Sequence, residues 1–136
     1  MEIAIQSGSV RIGDGVNSLQ RIEFLANKKY ICFEQNPTTN LLLGYSGDSR
    51  NASTPVLLGL GFPVTINSDD PGKFRLEDAT SDYFMAAVSY KWRLRHLKLV
   101  ALHALNHAIC PIGQKLILQE IFEKKWMDWI ENFIRA

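Results

Sequence analysis

Two adjacent carboxylates, Asp69 and Asp70, follow the apolar run "VTIN" and stand directly before Pro71 and Gly72. A carboxylate pair at such a place can be half of a metal site. The same letters also spell a turn. Asp-Pro-Gly is strong turn chemistry, and Asn, Ser and Asp side chains bond to nearby backbone amides. Asp14, in "RIGDG", is a third acid at the end of an apolar run. The local reading of Asp14 is the cap of a helix beginning near Val16. His96, His103 and His107 fall within about 40° of one another on a helix turning 100° per residue. His103 and His107 have the i, i+4 spacing of a metal pair, but "HALNH" lacks the glutamate of H-E-x-x-H and nothing in the sequence offers a third ligand. This face reads as a polar helix surface beside Arg93 and Arg95. Cys32 and Cys110 form no C-x-x-C pair and read as free thiols of a reducing compartment.

The elements that must position these residues belong to a chain of 136 residues, 46% apolar and 21% charged. That is a globular composition and the size of a single domain, taken as residues 1–136. Fifteen basic against fourteen acidic residues give a net charge of +1. Neither a nucleic acid nor an anionic membrane is expected as a partner. No stretch is long and apolar enough to span a bilayer, and "MEIAIQSGSV" lacks the pattern of a signal peptide, so the default expectation is cytoplasmic.

The organisation changes near residue 75. Before it, "SVRIG", "YICFEQ" and "FPVTIN" are short runs with β-branched and aromatic residues and read as buried strands. Between the first two, "VNSLQRIEFLANKK" spaces Val16, Leu19, Ile22, Leu25 and Ala26 as one helical face. Strand, helix, strand is a βαβ unit, hence parallel pairing. "NPTTNLLLGYSGDSRNASTP" reads as a loop, followed by a brief helix, "VLLGLG". After residue 75 come three helices: "LEDATSDYFMAAVSYKW", "LRHLKLVALHALNHAIC" and "QKLILQEIFEKKWMDWIENFIRA". In the last, Leu118, Phe122, Trp129 and Phe133 share a stripe widened by Trp126 and Ile130, opposite Glu120, Lys124, Asp128 and Glu131.

Acidic residues at the C-terminal ends of parallel strands lie where α/β barrels place their chemistry. Three such ends, "VRIGDG", "FEQNPTTNLLLG" and "VTINSDDPGKF", with the later "LEDATSDYF", resemble in order and spacing the C-terminal third of the adenosine and AMP deaminase superfamily, particularly its growth-factor-related branch. The family segments are "RIGHG", then a glutamate-containing strand leading to a proline, a serine and an asparagine, then "DDP". Here they are Arg11 to Gly15, then Glu34, Pro37, Thr39 and Asn40, then Asp69, Asp70 and Pro71. "EIAIQSG" resembles the end of a preceding helix and "KKWMDWIENFI" the family's C-terminal helix, so the resemblance covers essentially the whole chain.

The resemblance implies an α/β fold: the C-terminal part, about three βα units plus terminal helices, of a metal-dependent-hydrolase type TIM barrel. It implies a zinc-dependent hydrolase of purine metabolism that deaminates adenosine-type substrates. Asp69 matches the zinc-ligand position and Asp70 the neighbour that hydrogen-bonds the purine ring. Asp14 stands where the family has a catalytic histidine; an ionised carboxylate accepts hydrogen bonds but cannot donate one. A complete barrel takes about 250 residues, and one ligand cannot hold a zinc ion. The sequence therefore predicts a fragment or remnant that is inactive in isolation. Its two open strand edges and an apolar inner face would be covered by self-association or by a complementary N-terminal barrel part. The alternative is a non-catalytic module that docks on a partner.

Overall fold

The computed structural model describes residues 1–74 and 78–135. Its elements are α1 (Glu2–Gln6), β1 (Arg11–Gly13), a 3-10 turn (Ser18–Arg21) continuing into α2 (Ile22–Leu25), β2 (Cys32–Gln35), α3 (Pro37–Leu42), a 3-10 turn (Ser49–Asn51), α4 (Thr54–Gly59), β3 (Val64–Ile66), α5 (Pro71–Phe74), α6 (Thr80–Ser89), α7 (Leu94–Asn106) and α8 (Ile112–Arg135). They fall into two compact units, Met1–Ala104 and Leu105–Ala136.

In the first unit the three strands form a parallel sheet in the order β1-β2-β3. The register aligns Ile12 with Phe33 and Phe33 with Val64. Because side chains alternate across a strand, these three share one face. They pack into a core with Ile5, Leu25, Ile31, Leu57 and Phe62, which the flanking helices and their connections supply. Phe33 and Phe62 meet edge to face, ring centroids 5.5 Å apart. A second cluster joins Ile66 to Ala86 of α6 and Val100 of α7, with Tyr83, Tyr90 and Trp92 against it. These two helices thereby close over the end of β3.

The opposite face corrects one expectation. Arg11, Gly13, Cys32, Glu34 and Thr65 occupy the alternate positions, and Arg11 Nε donates to Glu34 Oε1 at 2.6 Å. The face expected to be apolar carries an ion pair. The lone cysteine there is fully buried, and loss of hydration pushes its thiol up to about 11, so it is no nucleophile at neutral pH.

Other elements differ in extent. The helix expected over 16–29 is two short turns from Ser18 to Leu25, since burying Leu25 beside Leu19 and Ile22 requires no more length. The stretch read as a loop contains α3, with Pro37 at its start and Asn36 before it; proline at the first helical position is pre-set for a helix. The helix expected to open at Leu76 is seen from Thr80, and Leu76 and Glu77 lie outside the described residues. α7 ends at Asn106, so His107 is beyond the helix that was to present it with His103.

The histidine face is also not a uniform polar surface. The Val64 N–H donates to His103 Nδ1 at 3.1 Å, which ties α7 to the outer edge of β3. Burial pushes this imidazole below its ordinary value, opposed by the hydrogen bond that a protonated Nδ1 can donate to the Val64 carbonyl, 3.2 Å away. His96 Nδ1 accepts from the Arg93 N–H at 3.0 Å, and its ring stacks on Trp92.

In the second unit α8 carries a ladder of rings. Phe122, Trp126, Trp129 and Phe133 follow one another at centroid distances of 5.9, 5.6 and 5.5 Å. Spacings of three and four residues put them on one stripe. No helix among the described residues is long and apolar enough to cross a membrane.

Candidate active site

Two residues just past strand ends of the one sheet are bent into the left-handed region: Asp14, after β1, at φ 56°, and Asp69, after β3, at φ 57°. Side chains other than glycine rarely adopt this conformation, with Asp among the most tolerant. Lys91, the third such residue, follows the end of α6, where a left-handed residue is ordinary. Asp14 and Asp69 have no such excuse, and their bends turn the chain sharply at the strand ends.

Asp14 is fastened on every side. Its N–H donates to the Glu34 carbonyl at 2.8 Å, its carbonyl accepts from Gln35 Nε2, and its Oδ1 accepts from Asn36 Nδ2 at 2.8 Å. The side chain is therefore not the cap of a following helix. The 3-10 turn begins at Ser18 behind Asn17 and has no side-chain cap, while Asp14 Oδ1 accepts from Asn36 on the neighbouring strand's end. Gly15 follows, also left-handed at φ 55°, and a Cβ there would meet Phe33 Cδ1 at 2.8 Å. The core ring under the turn explains why glycine is required.

A buried hydrogen-bond relay supports this turn from below. Gln35 Oε1 accepts from Thr54 Oγ1 at 2.8 Å, and Thr54 Oγ1 in turn accepts from the Tyr90 hydroxyl at 3.5 Å. Gln35 thus ties the Asp14 loop to α4 and to the end of α6.

Asp69 and Asp70 are built differently. Asn67 N–H continues the ladder to the Gln35 carbonyl at 2.9 Å, and the Ser68 carbonyl accepts from Thr39 Oγ1 of α3 at 3.4 Å. The Asp70 carbonyl accepts from the Lys73 N–H at 3.0 Å, starting the single turn α5. The doublet is thus a turn, as the local reading held, and it also stands at the strand's C-terminal end. Both residues are exposed, and neither makes a side-chain hydrogen bond among the described residues. Reduced hydration, then the negative charges of Asp14, Asp70 and Glu34, push the Asp69 carboxyl above its ordinary value; Lys73 opposes this. Four carboxylates share one rim, and among the described residues the cations against them, Arg11 bonded to Glu34 and Lys73 near Asp69, leave an excess of negative charge.

That imbalance suits a cation, but the donor set is partial. No group of three His, Cys, Asp or Glu that could hold a metal occurs among the described residues. Asp69 can supply one oxygen, which fits one corner of a four-coordinate site and does not make a site.

Sequence reasoning missed Asn36, Gln35 and Asp82. Asn36 was legible only as the residue before a proline. Asp82 lies within "LEDATSDYF" and is wholly buried, its Oδ1 accepting the Thr38 N–H at 2.8 Å across 44 positions of chain; no local pattern signals that contact. Of the residues matched at the second strand end, Pro37 opens α3, Thr39 reaches Ser68, and Asn40 Oδ1 is buried without a partner among the described residues.

Comparison with known proteins places this rim in a family. A sequence model described as adenosine deaminase matches residues 2–125. The chain is 30% identical to adenosine deaminase 2 of Homo sapiens over 134 residues, covering 95% of this chain and 26% of that protein. To adenosine deaminase 2 of Dictyostelium discoideum it is 31% identical over 136 residues, covering 98% and 25%. It thus spans about a quarter of the length of the curated relatives it matches. Among solved structures, the adenine deaminase of Arthrobacter aurescens superposes with a TM-score of 0.75 at 17% identity, covering 90% of this chain and 36% of that one. The N6-methyl-AMP deaminase of Arabidopsis thaliana gives 0.76 at 18%, with the same coverage. The three parallel strands and their helices are therefore part of a deaminase TIM barrel, and the chain belongs to the adenosine deaminase family.

Proposed function

We propose that this chain supplies one wall of a purine nucleoside deaminase site. Asp69 serves as the carboxylate ligand of a zinc ion, Asp70 as the acceptor that orients the purine ring, and Asp14 stands at the position of the family histidine. One observation carries this reading: Asp14 and Asp69 are both held in left-handed turns at the C-terminal ends of parallel strands in one sheet, where barrels assemble their sites. Zinc, when bound, acidifies water so that a nucleophilic oxygen is available near neutral pH. The remaining ligands and the ring's proton donor come from the complementary part of the barrel, whose strands pair with the outer edge of β1 and, once His103 releases the Val64 amide, with that of β3.

The chain's own residues limit what the site can do. As a carboxylate, Asp14 has no proton to donate, and one of its oxygens is engaged by Asn36. It can orient a donor but cannot stabilise developing negative charge as an imidazole can. Deamination is accordingly slow, and the isolated chain neither retains zinc nor turns over.

The test joins this chain to the N-terminal barrel portion of an adenosine deaminase 2 relative and follows zinc content and ammonia release from adenosine. The expected outcome is one zinc per hybrid and slow release, raised about 10²- to 10⁴-fold by Asp14→His. Equal rates with and without that substitution would mean that a carboxylate does the work assigned to the histidine. A folded hybrid without zinc would overturn the whole reading.

A further inference from the structure

We propose that Asp82 is the positioning residue of this site, fixing the N-terminus of α3 and, through α3, both turns that carry Asp14 and Asp69. The proposal deepens the functional reading above and rests on it. The first amides of a helix have no intrahelical partner, and the residue before α3, Asn36, makes no side-chain cap; its side chain donates from Nδ2 to Asp14 instead. A carboxylate from α6 does the capping instead: Asp82 Oδ1 accepts the Thr38 N–H at 2.8 Å in a fully buried setting. Negative charge at a helix N-terminus is favourable, yet the arrangement is half satisfied. Asp82 Oδ2 and the neighbouring Thr38 Oγ1 are both buried without a partner among the described residues. Burying polar atoms without partners costs stability, so the fold keeps this acceptor against α3 at an expense that the Thr38 contact has to offset.

What that contact holds is visible on either side of α3. At its start, Asn36 holds Asp14; in its first turn, Thr39 Oγ1 reaches the Ser68 carbonyl, one residue before Asp69. The helix stands between the two strand-end turns, and a shift of its N-terminus moves both. Misplacement by about 1 Å can cost about 10²-fold in rate.

The experiment compares Asp82→Ala, Asp82→Asn and Thr39→Val by amide exchange, by the ¹³C carboxyl resonances of Asp14 and Asp69, and by kinetics in the zinc-loaded hybrid. In Asp82→Ala, the Asn40 and Leu43 amides, which close α3 onto Asn36 and Thr39, exchange at least about 10-fold faster. Both carboxyl resonances move, and kcat falls about 10- to 100-fold with KM little changed. Asp82→Asn rescues all three, since its amide oxygen can still accept the Thr38 N–H. A folded Asp82→Ala with wild-type exchange and unmoved resonances overturns the proposal. Should Asp82→Ala not fold, Thr39→Val decides: it must move the Asp69 resonance and leave that of Asp14, and an unmoved Asp69 resonance is equally fatal. Exchange and resonances require no catalysis, so an inactive hybrid would sink the deaminase reading without deciding this one.

Discussion

The ends of β1 and β3 carry the same residue type in the same backbone conformation, and the fold treats them in opposite ways. Asp14 is half-buried, with its N–H, its carbonyl and one carboxyl oxygen all bonded to the end of β2 or the residue after it. Asp69 is exposed, takes no side-chain hydrogen bond among the described residues, and has its carboxyl pushed up by reduced hydration and by its acidic neighbours. A left-handed turn costs energy in both places. At β1 the surrounding bonds offset it. At β3 no such bonds occur among the described residues, and the strained turn stands beside the like charges of Asp14, Asp70 and Glu34. Position at a strand end therefore does not by itself make a ligand. The hydrogen bonds around each carboxylate tell the structural one from the one left available.

Asp69 is where this contrast is most exposed to disproof. In the hybrid, Asp69→Asn is expected to lose the zinc and at least about 10³-fold in kcat/KM, while chemical denaturation shows a change within about 0.5 kcal/mol, since asparagine tolerates the same bend. Zinc retained at one per chain would show that Asp69 is no ligand. The next largest effect lies beside Asp14. Gly15→Ala must place a Cβ 2.8 Å from the buried Phe33 ring at a φ of 55°, and is expected to destabilise by about 2–4 kcal/mol. A loss below about 1 kcal/mol on the same denaturation curves would mean the turn relaxes freely.

Substitutions at Asp14 itself measure how much its fastening contributes. Asp14→Ala leaves the Asn36 amide, 4% exposed, without its acceptor, and should cost about 1–3 kcal/mol. Asp14→Asn keeps an oxygen for that bond and should cost under about 0.5 kcal/mol. If the two variants melt together, the bonds around Asp14 contribute nothing.

The smallest effect is in pH. A carboxyl raised in the folded state binds its proton more tightly than in the unfolded chain, so the Asp69 contribution is absent below the ordinary value of 3.8 and destabilising above it. Stability should therefore fall as pH rises from about 3.8 through the raised folded value, and Asp69→Asn should flatten that part of the curve. Thermal melts at closely spaced pH values read this slope. Identical slopes in the two proteins would show that the acidic rim is already neutralised.

The short runs "SVRIG", "YICFEQ" and "FPVTIN", with their β-branched and aromatic residues, were enough to mark three buried strands, and the intervening helical spacing was enough to make them parallel, because residue type and spacing are local properties of a chain. The strand-end motifs with Asp14, Asp69 and Asp70 were legible for the same reason: a motif is contiguous, and its family can be read from it. Other features were not local. The ion pair Arg11–Glu34 spans two strands and made the expected apolar face polar. α3 was hidden in a stretch rich in turn formers, and its cap comes from Asp82, 44 positions away. His103, read as one of three similar polar residues, owes its role to the Val64 amide on β3. Which residues could do chemistry, and on which strands they stand, was written in the order of the amino acids alone. Which of them the fold consumes was settled by packing, because a hydrogen bond between distant segments depends on where those segments meet and leaves no spacing in the chain to be read.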